Sequence, residues 1–509
     1  MDFFSIMPIV VSSVLVILII SFCSLALKIV SGKSLRNSEY PPVMGTVFDQ
    51  LFYFNRLYDY QTNIARTYRT FRLLAPSQSE YYTTDPRNIE HVLKTNFDNY
   101  SKGKYNQDIV RDLVGYGIFA VDGDMWRQQR KISSFEFSTR VLRDFSCVCF
   151  RKNATKLAGI ISNYSMTGDH FDIQELLARC TMDSIFKVGF GVDLNCLGGS
   201  NKESTFFIKA LDDANESVYW RYADLFWTVK RYLNIGSEAI LRKNIRVIDN
   251  FVYEVIRSKR DLYSLQSDCN EKEDILSRLL VASEKDPSLN DKYLRDIILS
   301  FIIAGKDTTA NTLSWFFYMM CKNPVVQEKL VQELNDTMEF ENKDTCIDYF
   351  AAGLTDTLLD KMHYLHAALT ETLRLYPAVP VDGKCAEVDD TLPDGYRLKK
   401  GDGVYYIAYA MGRMTYIWGD NAEEFLPERW LKNGIFQPES SIKFVAFHAG
   451  PRMCLGKDFA YRQMKIIAMA LLRFFRFELA DERRRVTYRT MLTLHIKGGL
   501  HLRVVPRLG

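Results

Sequence analysis

"FVAFHAGPRMCLGKDFA" spans Phe444 to Ala460 and places one thiol, Cys454, in a loop of Gly, Pro and Arg. A run with helix-like apolar spacing, Phe459 to Phe475, follows at once. A lone cysteine is most often a small buried apolar group. A nucleophile needs a base and an orienting group, and the sequence assigns neither to this thiol. A metal ligand needs less. A single thiolate holds a haem iron from one side and pushes electron density toward bound oxygen. The helix N-terminus that follows would lower the thiol pKa. Gly450 and Gly456 would let the backbone turn tightly and approach a flat macrocycle. Arg452 suits a macrocycle carboxylate. The loop is therefore placed to supply the fifth ligand of a haem.

A second segment breaks its own pattern. "LSFIIAGKDTTANTLSWFF", Leu299 to Phe317, is apolar on nearly every side, so a helix here runs through a core. Its middle holds Gly305, Asp307, Thr308 and Thr309. Glycine in mid-helix costs roughly 0.5–1 kcal/mol against alanine, and an unpaired buried carboxylate costs more. Two readings fit. In one, Asp307 is salt-bridged and the threonines bond back to the preceding turn. In the other, an acid–alcohol pair passes protons into a buried cavity.

The elements that must position these residues are mainly helical. Asp85-Pro86 opens a helix over Arg87 to Lys94 as an N-cap followed by proline. Further helices are expected at about Val141 to Tyr164, 203 to 230, 240 to 265, and Asn290 to Lys322, the last ended by Asn323-Pro324. Strand patterns are few: Phe71 to Leu74 with Glu80 to Thr84, Tyr396 to Lys399 with Val404 to Tyr409 around Gly401 to Gly403, and Leu494 to Val505. The fold class is mainly α with a small β portion.

Bulk composition narrows the function. Net charge is +3 over 509 residues and no basic run is present, so nucleic-acid binding is not expected. The ten cysteines are scattered, against a structural zinc site or a disulfide scaffold. Ile9 to Leu27 is apolar and long enough for a transmembrane helix. No Lys or Arg precedes it, and Lys28, Lys33 and Arg36 follow. An uncleaved anchor with a cytosolic body is the expectation, so Asn153, Asn163 and Asn335, which begin glycosylation acceptor triplets, should carry no sugar. The division expected is a membrane anchor at 1–30, a polar and proline linker at 31–43, and one catalytic body at 44–509.

Phe447-x-x-Gly450-x-Arg452-x-Cys454-x-Gly456 resembles the haem-binding signature of the cytochrome P450 monooxygenases. "AGKDTT", Ala304 to Thr309, resembles that family's oxygen-activating turn. "ETLR", Glu371 to Arg374, with Arg429 of "PERW", resembles its structural E-x-x-R lock. "WRQQR", Trp126 to Arg130, resembles its haem-contacting helix. The resemblance implies the cytochrome P450 fold and haem b. Cys454 is then the proximal ligand, Trp126, Arg130 and Arg452 contact the haem propionates, and Phe447 packs beside the thiolate. Thr308 bonds the oxygen and Asp307 feeds it protons. Lys384 is a weaker candidate for a propionate.

"VGYGIFAVDGDMWRQQRKISSFEFS", Val114 to Ser138, and "YPAVPVDGKCAEVDDTLPDG", Tyr376 to Gly395, are similar to the plant clan that hydroxylates fatty acids, usually at the terminal carbon. That similarity implies a long-chain fatty acid and molecular oxygen as substrates, NADPH-cytochrome P450 reductase as electron donor, and the endoplasmic reticulum membrane as location. In-chain attack or another lipid or terpenoid is the alternative. A haem-thiolate isomerase and a non-catalytic haem-binding membrane protein are rivals of other classes. Arg127, Arg130, Lys131, Lys457, Arg462 and Lys465 would form a basic face for an acidic reductase. Leu113 to Phe119, Ile302 to Ala304, Ala378 to Val381 and Met491 to Leu494 would line an acyl pocket. Lys104 and Arg111 are candidates for the substrate carboxylate.

Overall fold

The computed structural model describes residues 3–76, 79–138, 140–199, 202–265, 274–338 and 346–507. The chain forms two compact units. One combines Met1–Gly103 with Val381–Ala410, and the other Lys104–Pro380 with Met411–Gly509.

The first unit begins with helix α1, Phe3–Val30. Side chains at 1–11, 14, 17 and 18 lie outside the described residues, so much of the expected anchor does too. Among the described residues no helix is long and apolar enough to cross a membrane. The unit's sheet contains β1 (Val43–Thr46), β2 (Thr70–Leu74), β3 (Ser79–Thr83), β4 (Tyr100–Ser101), β5 (Asp382–Ala386) and β6 (Gly403–Tyr406), in the order β1-β2-β3-β6-β5-β4. β2 and β3 pair antiparallel with Phe71 opposite Tyr82, as expected. The second expected pair does not form. β6 runs parallel to β3 and antiparallel to β5, while Arg397–Leu398 pairs with Asp390–Thr391. Asp402 explains the switch. Its carboxylate accepts the amides of Lys399 (2.9 Å) and Ser79 (3.3 Å), holding the strand beside β3.

The stretch at 31–43 is bonded to this sheet. Arg72 is buried on β2 and donates to the carbonyls of Pro41 (2.8 Å), Lys33 (2.7 Å) and Ser34 (3.3 Å). Three charge-assisted bonds from one planar group fix the path of a segment that has few apolar contacts of its own.

The second unit is helical. Its main elements are α2 (Gly123–Ser138), α3 (Arg140–Thr167), α4 (Ile173–Phe190), α5 (Lys202–Trp220), α6 (Trp227–Leu233), α7 (Gly236–Leu265), α8 (Asp291–Lys322), α9 (His363–Leu375) and α10 (Lys457–Phe474). The expected helix over 203 to 230 is two, α5 and α6. The break falls at Arg221, whose buried guanidinium donates to Glu238, Asp112 and the Ile109 carbonyl. Those bonds turn the chain out of its helical path.

α8 has 32 residues, is capped by Asn290 and stops at Asn323 before Pro324. It crosses α4 at Gly305. A Cβ there would stand 2.8 Å from Ile185 Cδ1, so close packing accounts for this glycine. The expected strand over 494 to 505 is divided into β8 (His495–Ile496), paired with β7 (Tyr488–Arg489), and β9 (His501–Pro506). Gly498 and Gly499 separate the two, with φ of +72° and +73°. That left-handed conformation suits glycine and ends a strand.

Glu371 and Arg374 of α9 form the expected lock. Arg374 Nε and Nη2 each donate to the carboxylate at 2.7 Å, and both side chains are fully buried. Trp430 Nε1 (2.8 Å) and the Leu426 amide (2.9 Å) donate to the same carboxylate. Arg429 is a weaker partner at 3.4 Å and bonds mainly to the carbonyls of Trp418 and Asn421.

Candidate active site

The Cys454 loop lies between two single-turn helices, Val445–Phe447 and Gly450–Arg452, and the start of α10. The Cys454 amide donates to the Phe447 carbonyl at 2.9 Å, folding the loop back on itself. Gly450 has φ +65°, a conformation that a side chain would strain. The amide of Gly456 faces the thiol sulfur, and a Cβ on Gly456 would stand 4.0 Å from Sγ. The Phe447 ring lies 5.3 Å from the Tyr461 ring, with the Lys457 ammonium 5.9 Å over it.

Burial pushes the Cys454 thiol above its ordinary pKa, opposed by the Gly456 amide, Arg130 and Lys457. This corrects the expectation that the helix N-terminus leaves the thiol acidic. Desolvation wins, and a coordinating metal is what deprotonates such a thiol outright.

α2 supplies the flanking groups. Trp126 is buried, and the Arg452 guanidinium lies 4.5 Å from its ring centroid. Arg452 Nη2 also donates to Asp122 Oδ1 (2.6 Å) and to the Val121 carbonyl (2.9 Å). Asp122 is thus a site residue that the sequence did not single out. Arg130 is half-buried; burial lowers its pKa and Cys454 opposes the shift. Phe137, two turns on, joins the Cys454 side to α8. Its ring lies 5.7 Å from Phe301 of α8 and 5.9 Å from Phe459 of α10. Lys384 belongs to the other unit, buried with its ammonium 5.5 Å over the Phe97 ring.

α8 is buried along most of its middle but opens over one turn. Ala304 is exposed, and Ile303, Gly305 and Thr308 are partly so. Thr308 Oγ1 donates to the Ala304 carbonyl at 2.6 Å. Asp307 is buried and turned elsewhere, since adjacent helical positions do not share a face. Its Oδ1 lies 2.9 Å from Lys306 Nζ and 3.9 Å from His495 Nε2, and its Oδ2 accepts from Asn215 Nδ2 at 3.3 Å. Lys306 also bonds Asp212 of α5. Burial raises the Asp307 pKa, but Lys306, His495 and Asn215 outweigh it and hold the carboxyl below its usual range. The sequence left the partner of Asp307 unnamed, and Lys306 beside it is one. Asn215, Asp212 and His495 were not legible, because they come from distant elements.

Several other expected residues lie elsewhere. Lys465 is buried, donates to the Leu359 carbonyl at 2.6 Å and is pushed down to about 8 by burial. It cannot belong to a basic face. Arg462 pairs with Asp356 at 3.2 Å and Arg127 with Asp124 at 3.1 Å; Arg127 and Lys131 are both exposed. Ile302, Met491 and Leu494 are core; the Leu494 carbonyl accepts from Trp315 Nε1 at 2.7 Å. Lys104 and Arg111 both pair with Asp108.

The residues present fit a haem. One thiol with opposing cations, a tight glycine loop beneath it, and an open turn on an otherwise buried helix are what an iron macrocycle requires. Comparison with known proteins agrees. Residues 39–503 match the cytochrome P450 family. The chain is 52% identical over 506 residues to cytochrome P450 704C1 of Pinus taeda, covering 96% of this chain and 97% of that one. It is 45% identical to cytochrome P450 704B1 of Arabidopsis thaliana, covering 93% and 96%, and 40% identical to cytochrome P450 86B1 of the same plant, covering 86% and 80%. A thiolate loop, a distal helix and a buried E-x-x-R lock thus occur in a sequence aligned nearly end to end with such relatives, and the chain belongs to the cytochrome P450 family of haem-thiolate monooxygenases.

Proposed function

We propose that this cytochrome P450 hydroxylates long-chain fatty acids at the terminal carbon, with electrons from NADPH-cytochrome P450 reductase. The observation that carries the reading is the open turn of α8, where Ala304 and Ile303 offer apolar surface and Thr308 adds one hydroxyl. An acyl end lies well against such a wall. The segments Val114 to Ser138 and Tyr376 to Gly395, similar to the fatty-acid-hydroxylating clan, support the substrate class.

Cys454 would hold the iron. Arg130 and Trp126 would face the haem edge, and Arg452 would share its guanidinium between a haem carboxylate and Asp122. Bound haem supplies oxygen reduction and insertion into a C–H bond. Thr308 would turn its hydroxyl from the Ala304 carbonyl toward the oxygen, and Asp307 would supply the protons that oxygen reduction consumes. Phe447 and the Gly456 amide would hold the thiolate in place and limit its access to water. Arg127, Lys131 and Lys457 remain for a reductase-facing surface.

A membrane location is supported by the apolar sequence from Ile9 to Leu27 and by exposed apolar side chains. In the second unit Phe226, Val229, Tyr232 and Leu233, in and beside α6, are exposed. Both features suit the endoplasmic reticulum membrane, with the body on its cytosolic face.

Optical titration of the holoenzyme tests the substrate class. Long-chain fatty acids should shift the haem absorption band to the high-spin position, and alkanes of equal length should do so less. A shift from sterols or terpenoids with none from any fatty acid would contradict the reading.

A further inference from the structure

The partners of Asp307 form a polar pocket that the proposed mechanism has not used. Asp307, Asn311 and Trp315 follow one another at intervals of four on α8, so they line one face. Trp315 at one end bonds the Leu494 carbonyl, and Asp307 at the other lies beside His495. Asn311 between them therefore faces the segment Thr493 to His495. The His495 amide donates to the Thr493 carbonyl at 3.0 Å, a γ-turn that bends the chain and keeps Thr493 close to His495. Asn215 of α5 closes the pocket on its remaining side.

Its polar atoms are conspicuously unsatisfied. Asn215 Oδ1, both amide atoms of Asn311, Thr493 Oγ1 and His495 Nε2 are buried without a hydrogen-bond partner in the protein, and they surround an Asp307 carboxylate whose Oδ1 already has the Lys306 ammonium at 2.9 Å. Asn215, Asn311, Asp307 and Thr493 are all at least 95% buried. Buried polar groups are almost always satisfied, by protein or by ordered water, and a water with two to four such partners is a stable part of a fold. The His495 side chain keeps 18% of its surface exposed, so its ring connects the pocket to the outside. The 3.9 Å between His495 Nε2 and Asp307 Oδ1 is too long for a direct bond and within reach of one bridging water.

We propose that Asn215, Asn311, Thr493 and His495 hold ordered water against Asp307 and that protons reach its carboxylate by this route, entering at His495. One proton passes from solvent to the imidazole, from the imidazole to water, and from water to Asp307; as Asp307 hands a proton on, the ring is reprotonated and no net charge stays behind. His495 is a positioning residue, acting through Asp307. The charges facing its ring are Asp307 and Lys306 on α8, Asp212 on α5 and Arg489 on β7, itself paired with Glu216. The inference rests on Asp307 being the proton donor of the proposed mechanism.

The test uses holoenzyme carrying His495→Phe, His495→Gln or Thr493→Val, with Asp307→Asn alongside. Product formed per NADPH, its solvent deuterium isotope effect, and melting temperature against pH are measured. His495→Phe should lower product per NADPH roughly tenfold, less than loss of a direct proton donor, and should raise the isotope effect. Glutamine, which binds water but takes up no proton, should restore only part of the yield, and full rescue would remove the imidazole from the route. Thr493→Val should fall in the same direction, so the route is tested even if the phenylalanine variant fails to fold. Burial holds the His495 pKa below its ordinary range, against Asp307. The unfolded chain then binds more protons as pH falls through about 6.5, and wild-type stability declines there. Both His495 variants should lose that part of the pH dependence. If Asp307→Asn uncouples while His495→Phe and Thr493→Val keep wild-type yield and isotope effect, the route is wrong and the donor stands. If Asp307→Asn stays fully coupled, the donor assignment fails and the route with it.

Discussion

Glu371 and Arg374 show how one residue pair can be essential without chemistry. Neither exposes side-chain surface, and their two parallel bonds leave no room for water. Removing one charge of such a pair strands the other, at a cost of about 3–5 kcal/mol. Glu371→Gln should therefore lower the denaturant midpoint by that equivalent and reduce haem retention, with no selective effect on substrate binding. Cys454→Ala should abolish the thiolate–carbon monoxide absorption band together with activity; a retained band would remove Cys454 as the ligand. Thr308→Ala should keep the band and divert electrons from product, read as NADPH consumed per hydroxylated acid. The thiol loop, the acid–alcohol pair and the E-x-x-R residues were legible in the sequence because each motif is local. The groups around Asp307 were not. Asn215 and His495 lie 92 and 188 positions away, and nothing in their local sequence marks them. The Cys454 pKa was misjudged for a related reason, since burial is decided by the packing of the whole unit.

At the level of elements, α8 packs closely against α4. Gly305 meets the Ile185 side chain there, so Gly305→Val should destabilise by about 1–3 kcal/mol through overpacking. Thermal or denaturant unfolding would check it, and an unchanged midpoint would mean that α4 moves freely. Apolar spacing and the Asn290 and Pro324 boundaries made α8 legible from end to end. The strands were harder to read. Short segments such as β6 and β8 carry little periodicity, and their pairing depends on single anchors: Asp402 beside β3, and the Gly498-Gly499 break between β8 and β9. The division of α5 from α6 was hidden because Arg221 breaks the helix through partners at Ile109, Asp112 and Glu238 rather than through proline or glycine.

For the whole molecule, the proposed attachment to a membrane should be separable from catalysis. Deleting residues 1–30 should release protein from carbonate-washed microsomes while leaving the carbon monoxide band intact, unless the exposed residues around α6 suffice to hold it. Asn153 is buried and donates to Ser184 at 2.9 Å, so the exposed Asn163 and Asn335 are the useful reporters of topology. Neither should gain a glycan, and a mobility shift on glycosidase treatment would place the body in the lumen. The central claim, a haem-thiolate monooxygenase acting on fatty acids, is tested most directly by its products. The full chain would be expressed in microsomes with a plant reductase and NADPH, and offered saturated and unsaturated acids of about 12–22 carbons, lengths suited to a buried apolar pocket. Mass spectrometry should find terminally hydroxylated acids that require NADPH. No hydroxylated product from any acid, in a preparation that shows the thiolate–carbon monoxide band, would contradict the account.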